Sequence, residues 1–191
     1  MKPVLLRAYG VGEVELRGGD GRTLIGLAAP FNKPAEIFEG GLRFSESIVP
    51  GAFARTIAQR GSKVPLHAMH ESRRLPLGPV QSLREESNGL MIEARISRTT
   101  AGDEVLELIK DGALGGLSIG FSPVREEWTR DNKQRVLQEV ALHEISVVSA
   151  PAYQEAQIAA VRSSESVPSG PSLDLYLRQL QVQQARLQGT R

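Results

Sequence analysis

Two long alternating runs, one from Leu117 towards Trp128 and one from Gln134 to Val148, flank the polar cluster Thr129-Arg130-Asp131-Asn132-Lys133. A period-two pattern of this length commits the chain to a mainly β build around one long hairpin. In the first arm, Leu117, Ile119 and Phe121 alternate with Ser118, Gly120 and Ser122. This predicts that the first set is buried and that Ser118 turns to the opposite face, among residues without bulky side chains, where a second backbone can approach. Pairing about a turn centred near Asp131 or Asn132 sets Ser118 opposite or diagonal to Glu144, within about 8 Å. A slip of one residue presents His143 instead.

The rest of the chain reads as shorter elements around that hairpin. Glu13–Leu16 and Arg22–Ala29 are expected strands joined by Gly18-Gly19-Asp20-Gly21, and a further short strand is expected around Leu42-Arg43-Phe44. Pro50 suits a helix start, with Phe53 and Ile57 on one face and Gly61 as its stop, so a helix is expected from about Pro50 to Arg60. If Lys63–His70 is extended, His67 and His70 point to opposite faces. Val80–Arg84 and Leu90–Ile96 flank an Asn88-Gly89 turn and read as a second hairpin. Thr100 and Asp103 have capping-box spacing before Val105, Leu108 and Ile109, which predicts a helix over about Ala101–Lys110 that leads directly to Gly115. The packed domain is expected over residues 1–161. A Ser/Pro/Gly-rich linker is expected over 162–172, and an amphipathic helical tail over 173–191, where Leu173, Leu177, Leu180 and Leu187 have heptad-like spacing. Such a tail is too short to be stable alone and calls for a docking or self-associating partner.

Composition removes several function classes. With 191 residues, a formal net charge of +1 and 23 basic against 22 acidic side chains, the chain lacks the electrostatic footprint of a nucleic-acid or acidic-membrane binder. It contains no cysteine, so a disulfide framework, a thiolate nucleophile and a cysteine zinc site are excluded. The apolar run within Met1–Arg7 is too short for a secretory signal and no stretch approaches a membrane span, which predicts a cytoplasmic protein. The chain has three histidines, His67, His70 and His143. A serine hydroxyl attacks at neutral pH only when a base takes its proton, and histidine is the side chain suited to that role. His70, Ser118 and Glu144 supply a base, a nucleophile and an acid in that order, and such triads are defined by geometry rather than by order. A metal site of His67, His70, His143 and Glu144 is the competing reading, and it requires His-x-x-His on a helix or turn rather than on a strand.

Four phrases carry a resemblance. They are Gly26–Asn32; His70-Glu71 followed by Leu75-Pro76-Leu77-Gly78; Asp111–Phe121; and Glu144–Ala152. Together they resemble the prohead proteases of tailed bacteriophages, which are similar to the herpesvirus capsid maturation proteases, the assemblins. The resemblance implies an antiparallel β-barrel flanked by a few α-helices. It also implies a serine endopeptidase, without a cofactor or metal, acting inside the immature capsid in the host cytoplasm. The implied substrates are scaffold, the scaffolding segment of the major capsid protein, and the protease itself. His70 matches the family's histidine, with Glu71 in place of the usual aspartate; Ser118 matches the nucleophile; Glu144 matches the acid, in the place where assemblins use a second histidine. His143 is the rival for that third place. Assemblins also support the oxyanion through an arginine pair after the third member, where this chain has Ala152-Tyr153, so backbone N–H groups around Gly115 and Gly116 are the expected substitutes. The alternative is a catalytically silent capsid-assembly or scaffolding protein on the same fold.

Overall fold

A computed structural model describes residues 3–9 and 14–149, together with the backbone of a short strand at 158–159. The expected linker at 162–172 and tail at 173–191 lie outside the described residues. In chain order the strands are β1 (Leu5–Ala8), β2 (Glu15–Arg17), β3 (Thr23–Pro30), β4 (Ala35–Glu39), β5 (Leu42–Ile48), β6 (Leu66–Ala68), β7 (Val80–Glu86), β8 (Gly89–Arg95), β9 (Gly116–Trp128), β10 (Gln134–Val148) and β11 (Ile158–Ala159). The helices are α1 (Ala54–Gln59) and α2 (Thr100–Lys110), and a short 3-10 turn spans Gly61–Lys63.

The long hairpin is the frame of the larger sheet. β9 and β10 pair antiparallel from Gly116 and Val148 to Trp128 and Arg135. β1 adds to the free side of β9, and the sheet runs β1-β9-β10-β5-β4-β11 with β6 attached to β10. The outer edge of β10 is covered in three successive pieces. β5 pairs with Gln134–Leu137 and β6 with Ile145–Val147, both in parallel. Between them α1 takes the place of a strand. Ala52 O accepts from Val140 N at 3.0 Å, the Thr56 hydroxyl donates to Val140 O at 3.2 Å and accepts from Leu142 N at 3.1 Å, and Arg60 Nη1 reaches Leu142 O at 3.1 Å. These bonds satisfy backbone groups that would otherwise be buried without partners.

The second sheet, β2-β3-β8-β7, packs against the first. A Cβ added at Gly26 of β3 would stand 2.7 Å from Leu117 Cδ1, so the two sheets meet closely at that point. Leu117, Ile119 and Phe121 enter the common core with Leu24, Ile92, Leu142 and Ile145. Full burial of side chains of this size stabilises by about 1.5–3 kcal/mol each.

The described residues do not form a closed antiparallel barrel. Among the described residues both sheets are open, and the larger one is mixed because β10 pairs in parallel with β5 and β6. The sheet curls nonetheless. Arg7 on β1 reaches Glu46 on β5 and Glu39 on β4, each at 2.8 Å, although two strands separate β1 from β5. In a flat sheet that separation is about 14 Å. Arg135 joins the same cluster at 3.1 Å from Glu46, so two cations share the buried carboxylate. Side-chain ion pairs therefore bridge the curl where a backbone ladder would close a barrel.

Several local expectations shift. α1 begins at Ala54 rather than near Pro50, because Gly51 takes a left-handed φ of +90° and Glu85 accepts from the N–H groups of Gly51 and Phe53 at 2.7 and 2.8 Å. α2 starts one residue early, with Thr99 as the N-cap accepting from Gly102 N at 3.0 Å. β1 and β4 form where the sequence pattern marks no strand: β1 exists through pairing with distant residues of β9, whereas β4 pairs with the adjacent β5 across a tight turn at Gly40-Gly41, both in the left-handed region. Among the described residues, no helix is long and apolar enough to cross a membrane.

Candidate active site

The chain leaves β6 after Ala68 and turns sharply. Met69 and His70 both adopt left-handed φ, at +51° and +60°. For residues other than glycine this costs roughly 1–2 kcal/mol each, so the surrounding bonds must hold it. Met69 N donates to Val147 O at 2.9 Å, Glu71 N to Ala68 O at 3.0 Å and Ser72 N to His70 O at 2.8 Å. His70 N donates to the Ser146 hydroxyl at 3.3 Å. The turn redirects His70: instead of continuing the alternation of an extended strand, its ring lies over the β9–β10 ladder.

There His70 stands between two partners. Its Nδ1 lies 2.6 Å from Glu144 Oε1 and its Nε2 lies 2.6 Å from Ser118 Oγ. An ionised carboxylate can only accept, so Nδ1 carries the proton and donates to Glu144. In the neutral ring Nε2 then holds the lone pair and accepts from the Ser118 hydroxyl. The His70 hydrogen bond is the largest influence on the Glu144 carboxyl and holds it below the ordinary glutamic acid range, against the opposing effect of burial. The result is a base whose tautomer is set by an acid and aimed at a hydroxyl.

The hairpin register explains how the acid arrives. At this end the ladder pairs Ser118 with Ser146 and Gly120 with Glu144, which is a pairing centred on Asn132. Ser118 and Glu144 are thus diagonal neighbours on one face. The register shifts three times along the hairpin, and the shift nearest the site lies between Leu142 and Glu144. His143 occupies that irregularity and bonds a different residue, with Nε2 3.0 Å from Ser122 Oγ. Burial, then the Arg60 charge, lower the His143 pKa and favour its neutral form. The structure therefore brings His70, Ser118 and Glu144 together and leaves His143 outside the cluster.

Two expectations need correction. The Ser118 face is not open: the residue is only 1% exposed, because the turn carrying His70 lies over it. Gly115 N donates to Val148 O at 3.2 Å and is not available as an oxyanion donor. His67, buried in the middle of β6 opposite Ser146, does not join His70 in a metal site, and among the described residues no group of three or more His, Cys, Asp or Glu is arranged to hold a metal ion. Sequence reasoning missed Ser146. It lies opposite Ser118 in the ladder and is fully buried, and the register that indicated Glu144 also points to it.

Comparison with known proteins bears on what such a cluster does. The family described as caudovirus prohead serine protease matches residues 9–169, a span that contains all three clustered side chains. The chain is 29% identical over 179 residues to the prohead protease of Enterobacteria phage HK97, covering 92% of this chain and 77% of that protein. It is 32% identical over 93 residues to the prohead protease of Escherichia phage T5, covering 49% of this chain and 44% of that protein. In fold it is similar to the bacteriophage T4 capsid assembly protease, with a TM-score of 0.51 and 12% identity, over 76% of this chain and 97% of that one.

Proposed function

We propose that this chain, which belongs to the caudovirus prohead serine protease family, cuts peptide bonds with Ser118 as nucleophile, His70 as general base and Glu144 as the orienting acid. The chain is a serine protease; the roles of the three residues are our reading. Its main support is the placement of one imidazole 2.6 Å from both a hydroxyl and a carboxylate.

In the proposed reaction, Ser118 Oγ attacks the carbonyl carbon of the scissile bond while His70 Nε2 takes its proton. Glu144 holds the ring and offsets the imidazolium charge without itself becoming protonated. His70 then gives the proton to the departing amine, which leaves an acyl-enzyme on Ser118. Water enters by the same route: His70 removes its proton, the hydroxide attacks the ester carbonyl, and Ser118 recovers its hydrogen.

The proposed substrates are scaffold, or the scaffolding segment of the major capsid protein, together with the protease itself, cut inside the immature shell in the host cytoplasm. Self-association belongs to the same proposal as a means of delaying cleavage until assembly. The names of the phage relatives support the setting. A likeness to the assemblin fold also remains a proposal, supported by the sequence phrases and the mainly β build.

Co-expression with the capsid-protein precursor tests this reading. The wild-type chain is expected to shorten the precursor, and mass spectrometry of the products gives the cleavage sites. Ser118→Ala is expected to fold and leave the precursor intact; normal processing by that variant would overturn the assignment.

A further inference from the structure

Ser146 stands directly opposite Ser118 in the β9–β10 ladder and next to His67 across the β6–β10 pairing. It is 0% exposed. Its hydroxyl accepts from the backbone N–H of His70 at 3.3 Å. That bond differs from the others that hold the turn: Met69, Glu71 and Ser72 donate to backbone carbonyls, which no side-chain substitution removes. The N–H of His70 itself is held by a side chain. Because Met69 and His70 sit in the left-handed region, the turn persists only while its surroundings over-determine it.

We propose that Ser146 is a positioning residue for the protease reaction, one that anchors the His70 backbone so that the ring meets Ser118 and Glu144 together. This rests on the triad reading above. Glu144 and Ser146 are two residues apart on one strand and share a face. Glu144 holds the His70 ring at Nδ1 and Ser146 holds the His70 backbone N–H, so a single strand holds the histidine at two points. Without the Ser146 hydroxyl, the His70 N–H has no acceptor at that position and the backbone can relax away from the ladder. The nucleophile, base and acid all remain, and only their alignment is lost.

The test compares wild type with Ser146→Ala, Ser146→Thr and Ser118→Ala. The readouts are the rate of covalent labelling by a fluorophosphonate probe, the thermal unfolding midpoint, and the downfield proton resonance of His70 Nδ1–H. Ser146→Ala is expected to label about 100-fold more slowly, the scale of loss from a misplacement of about 1 Å. It should unfold near the wild-type midpoint and show the His70 proton weakened or shifted upfield. Ser146→Thr, which keeps a hydroxyl, is expected to recover most of the labelling rate. Labelling of Ser146→Ala at the wild-type rate, or slow labelling with an unchanged His70 proton, would overturn the inference. Should Ser146→Ala not fold, Ser146→Cys carries the same test, since sulfur is a weak acceptor; labelling at the wild-type rate there would also overturn it. Ser118→Ala separates the two readings. If it still labels, the triad assignment fails; if it does not label while Ser146→Ala is unimpaired, the inference about Ser146 fails alone.

Discussion

Glu144 faces Gly120 across the β9–β10 ladder, and its Cγ lies 2.7 Å from where a Cβ on that glycine would stand. The acid reaches His70 through space that only the absence of a side chain leaves open. Real Cβ atoms essentially never approach a neighbour so closely, so any larger residue at 120 displaces the carboxylate. Leu6 Cδ2, at 3.2 Å from the same point, limits the room on the other side.

Gly120→Ala should therefore act on the reaction through Glu144. The expected result is a fluorophosphonate labelling rate lower by about 100-fold, with a stability loss of about 1–3 kcal/mol from overpacking. Labelling kinetics and urea unfolding of the one variant report both. An unchanged labelling rate would mean that Glu144 finds another route to the ring.

Glu144 and His143 are distinguished by substitution. Glu144→Gln keeps the shape but offers the ring an amide that can also donate, so the tautomer is no longer specified. The expected fall in kcat is about 10⁴-fold, by analogy with loss of the orienting acid in other serine proteases. His143→Ala removes a side chain that bonds to Ser122 and does not touch His70, so kcat is expected to stay within a few-fold of wild type. Steady-state peptide hydrolysis decides between them, and the reverse ranking would return the third role to His143.

The lowered Glu144 pKa makes a pH prediction with a definite sign. A carboxyl whose folded pKa lies below its unfolded value contributes stability that is fully present above the unfolded value, about 4.3. That contribution is lost as pH falls through the folded pKa. The stability gap between wild type and Glu144→Gln should be wide at pH 7 and narrow progressively below about pH 4. Urea unfolding across that range measures it, and a gap that widens on acidification would contradict the assigned cause.

The ion cluster that bridges the curled sheet predicts a large cost far from the site. Arg7 and Glu46 are both fully buried, so Arg7→Ala leaves part of a buried carboxylate without its partner. The expected destabilisation is about 3–5 kcal/mol, with Arg7→Met less costly than Arg7→Ala because it retains the packing. Denaturant titration of the two variants tests the ranking as well as the size.

Much of this arrangement was legible in the residues. The period-two pattern in 117–128 and 134–148 announced the central hairpin, and a turn near Asn132 was enough to bring Glu144 or its rival His143 near Ser118; the register shift between Leu142 and Glu144 then set Glu144 on the diagonal. Helix α2 was legible from Val105 and Ile109 on one face and a threonine near its start. The short strand β1 was not, because Leu5–Ala8 acquires strand structure only from β9, far along the chain; β4 was missed for another reason, since Ala35–Glu39 pairs with β5 across a local Gly40-Gly41 turn that the polar–apolar mixture around it obscured.

His70 marks the boundary between the two kinds of information. The sequence by itself determined which chemical groups exist, how far apart they lie along the chain, and which residues of each strand share a face, because strand alternation is a local property; the register shift that sets Glu144 rather than His143 beside Ser118 belongs to the folded sheet. Only the tertiary structure decided where the imidazole points. A left-handed turn at Met69 and His70 is unfavourable in isolation, and it is held by bonds to Val147 and Ser146 that form once β6 has docked beside β10. The same docking turns His70 away from an extended course and buries Ser118 beneath it, so the site is assembled by long-range pairing that no local pattern encodes.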